Sequence, residues 1–211
     1  MNNTILTKQV TRVLAESGIQ ITARMEAQLA TYLELVHEWN AFAGLVAPGD
    51  LGVLVTEHLT DAISLAPWVV ALWRGKGPLL DIGSGGGFPA LPVKVVVPEL
   101  PLVLVERSGK KVGFLWKVVG ALGLEGIDIR HGAFPEITVD VQPEIITARA
   151  VENPAKLSTA ILGLVAEGAV YLCQSSTNAI PGREMFHVER VDDVWTTLGL
   201  RRASLHLVRH R

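Results

Sequence analysis

Apolar positions in the first 75 residues recur at spacings of three and four, the period of a helix with one buried face. Leu6, Val10, Val13 and Leu14 form one stripe, closed by Gly18; Leu29, Tyr32, Leu33 and Val36, running on to Asn40, form a second. Leu51, Leu54, Val55, Leu59, Ala62 and Leu65 form a third, which Pro67 either ends or continues as a short helix to Trp73. After Gly75-Lys76-Gly77-Pro78, read as a hinge, the rhythm changes. Short aliphatic and β-branched runs predict strands at 79–82, 102–106, 127–131, 144–147 and 169–174, and the stretches between them predict helices at 89–97, 110–122 and 155–165. Segments 185–190 and 203–209 read as edge strands, with 191–198 unassigned. The alternation predicts an α/β fold, a mostly parallel sheet with helices on both faces and right-handed crossovers. Residues 76–211 form its main domain, and residues 1–75 a helical extension packed on the core.

Composition narrows the class. With 211 residues, 49% hydrophobic and 19% charged, the chain can bury one sizeable core, or one core plus a small accessory unit, without disordered tracts or repeats. A formal charge of −2 does not announce a nucleic-acid partner, so any such surface has to be a local basic patch. The single cysteine, Cys173, rules out an internal disulfide framework, and it sits in an apolar strand pattern as a core residue. Together with the lack of a basic-then-apolar leader, this points to a reducing cytoplasm. No apolar run approaches the roughly 20 residues that a membrane span needs.

The chemistry concentrates in Leu79-Leu80-Asp81-Ile82-Gly83-Ser84-Gly85-Gly86-Gly87-Phe88-Pro89, a strand that turns sharply through alternate glycines into a helix. Glycine takes positive φ freely and lets the backbone approach a ligand, and Pro89 and Pro92 fit the opening turn of a helix. Two cofactor classes use such a layout. The dinucleotide fingerprint G-x-G-x-x-G, begun at Gly83, puts Phe88 where its third glycine belongs; begun at Gly85, it puts Ala90 there, which the relaxed form tolerates. The D-x-G-x-G-x-G pattern of S-adenosylmethionine binders is met without a gap at Asp81, Gly83, Gly85 and Gly87, which favours the sulfonium cofactor. Glu106 ends the next strand about 20 residues further on, the usual offset of a ribose-binding carboxylate.

Other methyltransferase chemistries lack their marks. Thr147-Ala148-Arg149 stands where amino-group methylation commonly has a D/N-P-P-aromatic string, and no carboxylate cluster marks a metal-dependent O-methyltransferase. His58 and Asp61 are neighbours on one helix without a third ligand, so they do not form a metal site. His58 is read as a buried histidine held by Asp61.

The glycyl string 79–90, Lys110-Lys111-Val112-Gly113-Phe114-Leu115, Thr147-Ala148-Arg149-Ala150, Trp39-Asn40 and Glu57-His58-Leu59-Thr60-Asp61 resemble, in order and spacing over nearly the whole chain, the ribosomal RNA small-subunit methyltransferase G family, also called glucose-inhibited division protein B. The resemblance implies a class I S-adenosylmethionine-dependent methyltransferase with a Rossmann-like sheet and an antiparallel C-terminal edge. It also implies methyl transfer to N7 of a guanine in 16S ribosomal RNA, with the small ribosomal subunit as partner; no membrane association is expected from the run lengths, and the sequence does not fix the oligomeric state, a monomer being the expectation. By position the family's cofactor contacts fall on Gly83, Phe88, Ala133, Phe134 and Arg149; Gly85, Gly87 and Glu106 join them from the backbone and ribose arguments. Arg149 has two readings, a guanidinium reaching cofactor or RNA phosphate, or a helix-end charge paired to a carboxylate. Lys110 and Lys111 either meet RNA phosphate or are solvated. No general acid, base or covalent nucleophile is nominated.

The chain departs from the family's usual pattern at three places. Phe134 replaces an acid, Gly44-Leu45-Val46 an Asn-Leu-Thr string, and Gln174-Ser175-Ser176 a lysine-glycine pair. The first bears on adenine contacts and the others on RNA contacts, for which Arg201, Arg202, Arg209, His210 and Arg211 either compensate or form a solvated tail.

Two further readings stay open at this stage: a small-molecule methyltransferase on the same fold, and a non-catalytic protein that holds cofactor or ribosome.

Overall fold

The computed structural model describes residues 6–148, 154–174, 185–201 and 204–211. Arg149, Ser175, Ser176 and Arg202 lie outside these residues. Seven strands form one sheet: β1 (Leu79–Ile82), β2 (Leu102–Glu106), β3 (Ile127–His131), β4 (Ile145–Ala148), β5 (Val170–Gln174), β6 (His187–Val191) and β7 (Leu205–Arg209). Their order is β3-β2-β1-β4-β5-β7-β6. The first five run parallel, while β7 lies antiparallel to β5 and β6 antiparallel to β7. The chain leaves β1 for β2 on one side and returns as β4 on the other, so the order reverses beside β1, the point where open α/β sheets bind ligands.

β1, β2 and β4 are buried throughout, as runs without polar alternation require of strands covered on both faces. One face carries α1 (Lys8–Glu16), α2 (Ala23–Ala43), α3 (Thr60–Ile63), α4 (Ala66–Leu72), α5 (Ala90–Val96) and α6 (Gly109–Leu122), all sharing one core with Leu79, Leu102, Leu104 and Leu172. The other face carries α7 (Pro154–Ala166), and Phe134, Ile137, Val139 and Val141 from the segment after β3 pack there beside it. A short helix α8 (Val194–Thr197) fills the stretch unassigned from sequence.

The stripe at 51–65 is not one helix. A 3-10 segment, Pro48–Val53, passes into a π-helical turn, Leu54–Leu59, and only then into α3. Pro48, Gly49 and Gly52 are poor α-formers. The Thr60 N–H and hydroxyl both donate to the Val55 carbonyl, which holds the turn wide.

The segment read as a hinge is tied down instead. The Glu144 carboxylate accepts from the N–H groups of Arg74, Lys76 and Gly77, and the Trp73 indole donates to the Gly77 carbonyl. A Cβ at Gly77 would sit 2.3 Å from the Gln142 oxygen, so only glycine fits.

Among the described C-terminal basic residues, Arg201 is not part of a solvated tail. Arg201 is buried, its guanidinium forked onto both Asp193 oxygens at 2.9 Å and bonded to Ser64 on α3's C-cap. Arg209 pairs with Glu189 on the neighbouring strand. Arg209, His210 and Arg211 are all exposed.

Candidate active site

Three glycines after β1 take positive φ: Gly83 at 72°, Gly85 at 56° and Gly87 at 88°. They divide the work. Gly83 is exposed and Gly85 half-buried, and a Cβ at Gly85 would meet only the Gly83 carbonyl, at 3.7 Å. Gly87 is buried, and a Cβ there would fall 2.4 Å from Leu91 Cδ1 and 3.4 Å from Leu115 Cδ2. Gly83 and Gly85 thus offer backbone to the outside, while Gly87 lets α5 and α6 close onto the loop.

The loop is held on three sides. From β2, the Val105 carbonyl accepts from the Gly83 and Ser84 N–H groups at 2.8 and 3.0 Å. From β1 itself, Asp81 is 1% exposed, and one of its oxygens accepts from the Thr147 hydroxyl at 2.6 Å, the two residues being register partners across β1 and β4. From α2, the Tyr32 hydroxyl donates to the Gly86 carbonyl at 2.6 Å, and its ring lies 5.0 Å from that of Phe88. Sequence reasoning placed Tyr32 only on a buried stripe; nothing local in the chain announces a bond to a residue 54 positions away.

Glu106 sits at the end of β2 and is 6% exposed. One of its oxygens accepts from the Gly85 N–H at 2.8 Å and the other from the Ser108 N–H at 2.7 Å. An ionised carboxylate has about four acceptor positions, so each oxygen retains one beyond its amide partner. The Glu106 carbonyl accepts from the Gly132 N–H, which starts the Ala133-Phe134 loop beside it. Gly83, Gly85, Glu106 and the Ala133-Phe134 segment therefore converge at the carboxyl edge of β1, β2 and β3. Phe88 is turned into the core between Tyr32 and His58, and Phe134 is half-buried against the α7 side of the sheet. Lys110 and Lys111 open α6 just beyond; Lys110 is exposed, with its Nζ 4.6 Å over the Phe42 ring, and Lys111 is half-buried.

One expectation is corrected nearby. The carboxylate facing His58 is that of Asp50, 3.1 Å from Nε2, and not that of Asp61; the π-helical turn rotates the ring toward Asp50 and Phe88. In the Gly44-Leu45-Val46 string Gly44 is exposed, Leu45 buried and Val46 half-buried. The Asn40 side chain accepts from the Leu45 and Val46 N–H groups at 2.8 and 2.9 Å, and Leu45 is packed under Gly86. A change at these positions acts on the support of the glycyl loop.

Cys173 is buried, and burial pushes its thiol above the ordinary value although Tyr171 bonds to it. A protonated thiol in the core is not a nucleophile.

A glycyl turn clasped by a carboxylate from the adjacent strand, at the switch point of a sheet ordered 3-2-1-4-5-7-6, defines the class I S-adenosylmethionine-dependent methyltransferase architecture. Solved structures share it: an MtNAS mutant in complex with S-adenosylmethionine superposes with a TM-score of 0.60 at 14% identity, covering 99% of this chain and 85% of that one. An O-methyltransferase from Bacillus cereus in complex with SAH gives 0.57 at 14% identity, covering 96% and 97%. At such identities the likeness is one of fold.

Sequence relatives are more specific. Proteins named ribosomal RNA small subunit methyltransferase G are 34% identical in Marinobacter nauticus, over 75% of this chain and 72% of that one, and 29% identical in Cellvibrio japonicus, over 81% and 78%. The family model for rRNA small subunit methyltransferase G matches residues 25–184. The chain belongs to this family, and is a methyltransferase that uses S-adenosylmethionine.

Proposed function

We propose that this protein transfers the methyl group of S-adenosylmethionine to N7 of a guanine in small-subunit ribosomal RNA, working in the cytoplasm as a monomer. What carries the reading is the family pattern over residues 25–184, whose motifs meet in space at the glycyl loop clasped by Glu106. No helix among the described residues is long and apolar enough to cross a membrane.

The residues present fit the cofactor. Glu106 accepts both ribose hydroxyls through its remaining acceptor positions, Gly83 and Gly85 lie against the cofactor through backbone alone, and Ala133 and Phe134 flank the adenine. Gly87 and Phe88 shape the loop from within, and Arg149, which lies outside the described residues, is assigned to cofactor or RNA from the family pattern. S-adenosylmethionine, when bound, supplies a methyl group activated by its sulfonium. Guanine N7 carries an unprotonated lone pair on the major-groove edge, so the chain need not provide a base. Its residues orient: holding nucleophile and methyl in line converts a bimolecular displacement into a positioned one, worth several kcal/mol. The same proposal treats residues 1–75 as an extension that braces the loop, through Tyr32 and Leu45, and residues 76–211 as the methyltransferase domain.

The test is transfer of labelled methyl to small subunits from a strain lacking this gene, with the modified base mapped. Label at N7 of one guanine is the expected result. Label in a small-molecule fraction, or association with the particle without transfer, overturns the reading.

A further inference from the structure

Helix α6 leads directly away from the cofactor end, since Glu106 closes β2, bonds the Ser108 N–H, and α6 starts at Gly109. Its sequence contains Lys110, Lys111 and Lys117 and no acid. Phe114, Leu115, Val118 and Leu122 are buried, and the opposite side is open. There Trp116 is 53% exposed, with Lys110, Gly113, Lys117 and Gly120 exposed around it. Lys117 stands two turns beyond Lys110 on nearly the same line, about 10 Å along the axis, and Trp116 is its neighbour. Phe42, at the end of α2, widens the face: it is 59% exposed and carries Lys110 over its ring.

Two large exposed aromatic rings interleaved with lysines match the way single-stranded nucleic acid is held, with bases stacked on rings and cations following the phosphates. We propose that the RNA strand flanking the target guanine runs across this face of α6, stacking a base on Trp116 and placing phosphates against Lys110 and Lys117. The inference rests on the reading that the substrate is small-subunit RNA. Charge argues for a polyanion over a second copy of the chain, because a two-fold pairing of this face would set lysines against lysines with no acid on α6 to compensate.

The test compares wild type with Trp116→Ala and Lys117→Gln on small subunits from a strain lacking the gene. Trp116→Ala should raise KM about 5- to 100-fold, the range of one lost base stack, while its calorimetric affinity for S-adenosylmethionine stays at the wild-type value. Lys117→Gln should flatten the plot of log(kcat/KM) against log salt by roughly 0.7, one phosphate contact on single-stranded RNA. Filter binding to protein-free small-subunit RNA should show the Trp116→Ala loss too. Kinetics of both variants equal to an active wild type would overturn the surface and leave the function standing. A defect on subunits that vanishes on protein-free RNA would assign the face to a ribosomal protein and overturn it as well. A wild type that neither methylates nor binds RNA would overturn the function and, with it, the surface.

Discussion

Two mostly buried carboxylates, Glu106 and Asp193, mark opposite uses of a charge in this fold. Asp193, at the N-cap of α8, is saturated: one oxygen accepts from the Trp195 and Thr196 N–H groups and Arg201, the other from the Trp68 indole and Arg201. Glu106 has two main-chain amides and acceptor positions to spare. The first ties the C-terminal strand pair to α3 and α4; the second stands at the carboxyl edge of the sheet beside the glycyl loop, where the cofactor is proposed to bind. A buried acid whose every acceptor position is filled by protein is a strut. One that holds two main-chain amides and keeps acceptor positions open is what the proposed site requires.

The comparison can be broken by exchanging the losses. On the proposed ribose role of Glu106, Glu106→Ala removes two charge-assisted bonds at about 1.5–3 kcal/mol each, so affinity for S-adenosylmethionine should fall about 100-fold or more by calorimetry. Arg201→Ala leaves Asp193 with an uncompensated charge in a largely buried position and should cost about 3–5 kcal/mol in a denaturant melt, with cofactor affinity per folded molecule unchanged. If Arg201→Ala weakened cofactor binding as much as Glu106→Ala, the division between strut and site would fail.

Gly87→Ala sharpens the division of labour within the loop. Its Cβ would meet buried Leu91 at a φ of 88°, so stability should drop by about 1–3 kcal/mol, read as a lowered melting temperature. Tyr32→Phe removes one buried bond to the Gly86 carbonyl and should cost about 1 kcal/mol, with a few-fold weaker cofactor binding.

Acid provides a gentler probe of the strut. Burial acts to raise the Asp193 carboxyl, but the bonds from Arg201 and Trp68 outweigh it and hold the group below its ordinary value. A carboxyl depressed on folding contributes fully above its unfolded value, near 4, and that contribution is lost as the pH falls through the lower folded value. Wild type should therefore lose more melting temperature than Arg201→Ala between about pH 4 and pH 2.

Much of the sheet was legible because β1 and β2 are short, mostly apolar runs and β3 alternates apolar and polar residues, and their residues match the expected ranges. The glycyl loop was legible for a related reason, since positive φ at alternate positions demands glycine. What escaped were features set by distant parts of the chain. The Arg201 bond to Ser64 spans 137 residues, and a C-terminal run of basic residues looks the same in sequence whether buried or solvated. The 51–65 stripe kept its helical spacing because a π-helical turn preserves the inward face while shifting His58 by a fraction of a turn. Tyr32 looked like any core aromatic, with its hydroxyl as the one sign that it bonds something.

The most direct measurement is a calorimetric titration of S-adenosylmethionine into the wild-type protein and into Gly85→Val. A side chain at Gly85 projects into open space beside Glu106 and strains a φ of 56°, so it should block the ligand with little cost to the packed core. Saturable heat with wild type and none with a folded Gly85→Val is the expected result. Silence from the wild type, or equal binding by the variant, would contradict it.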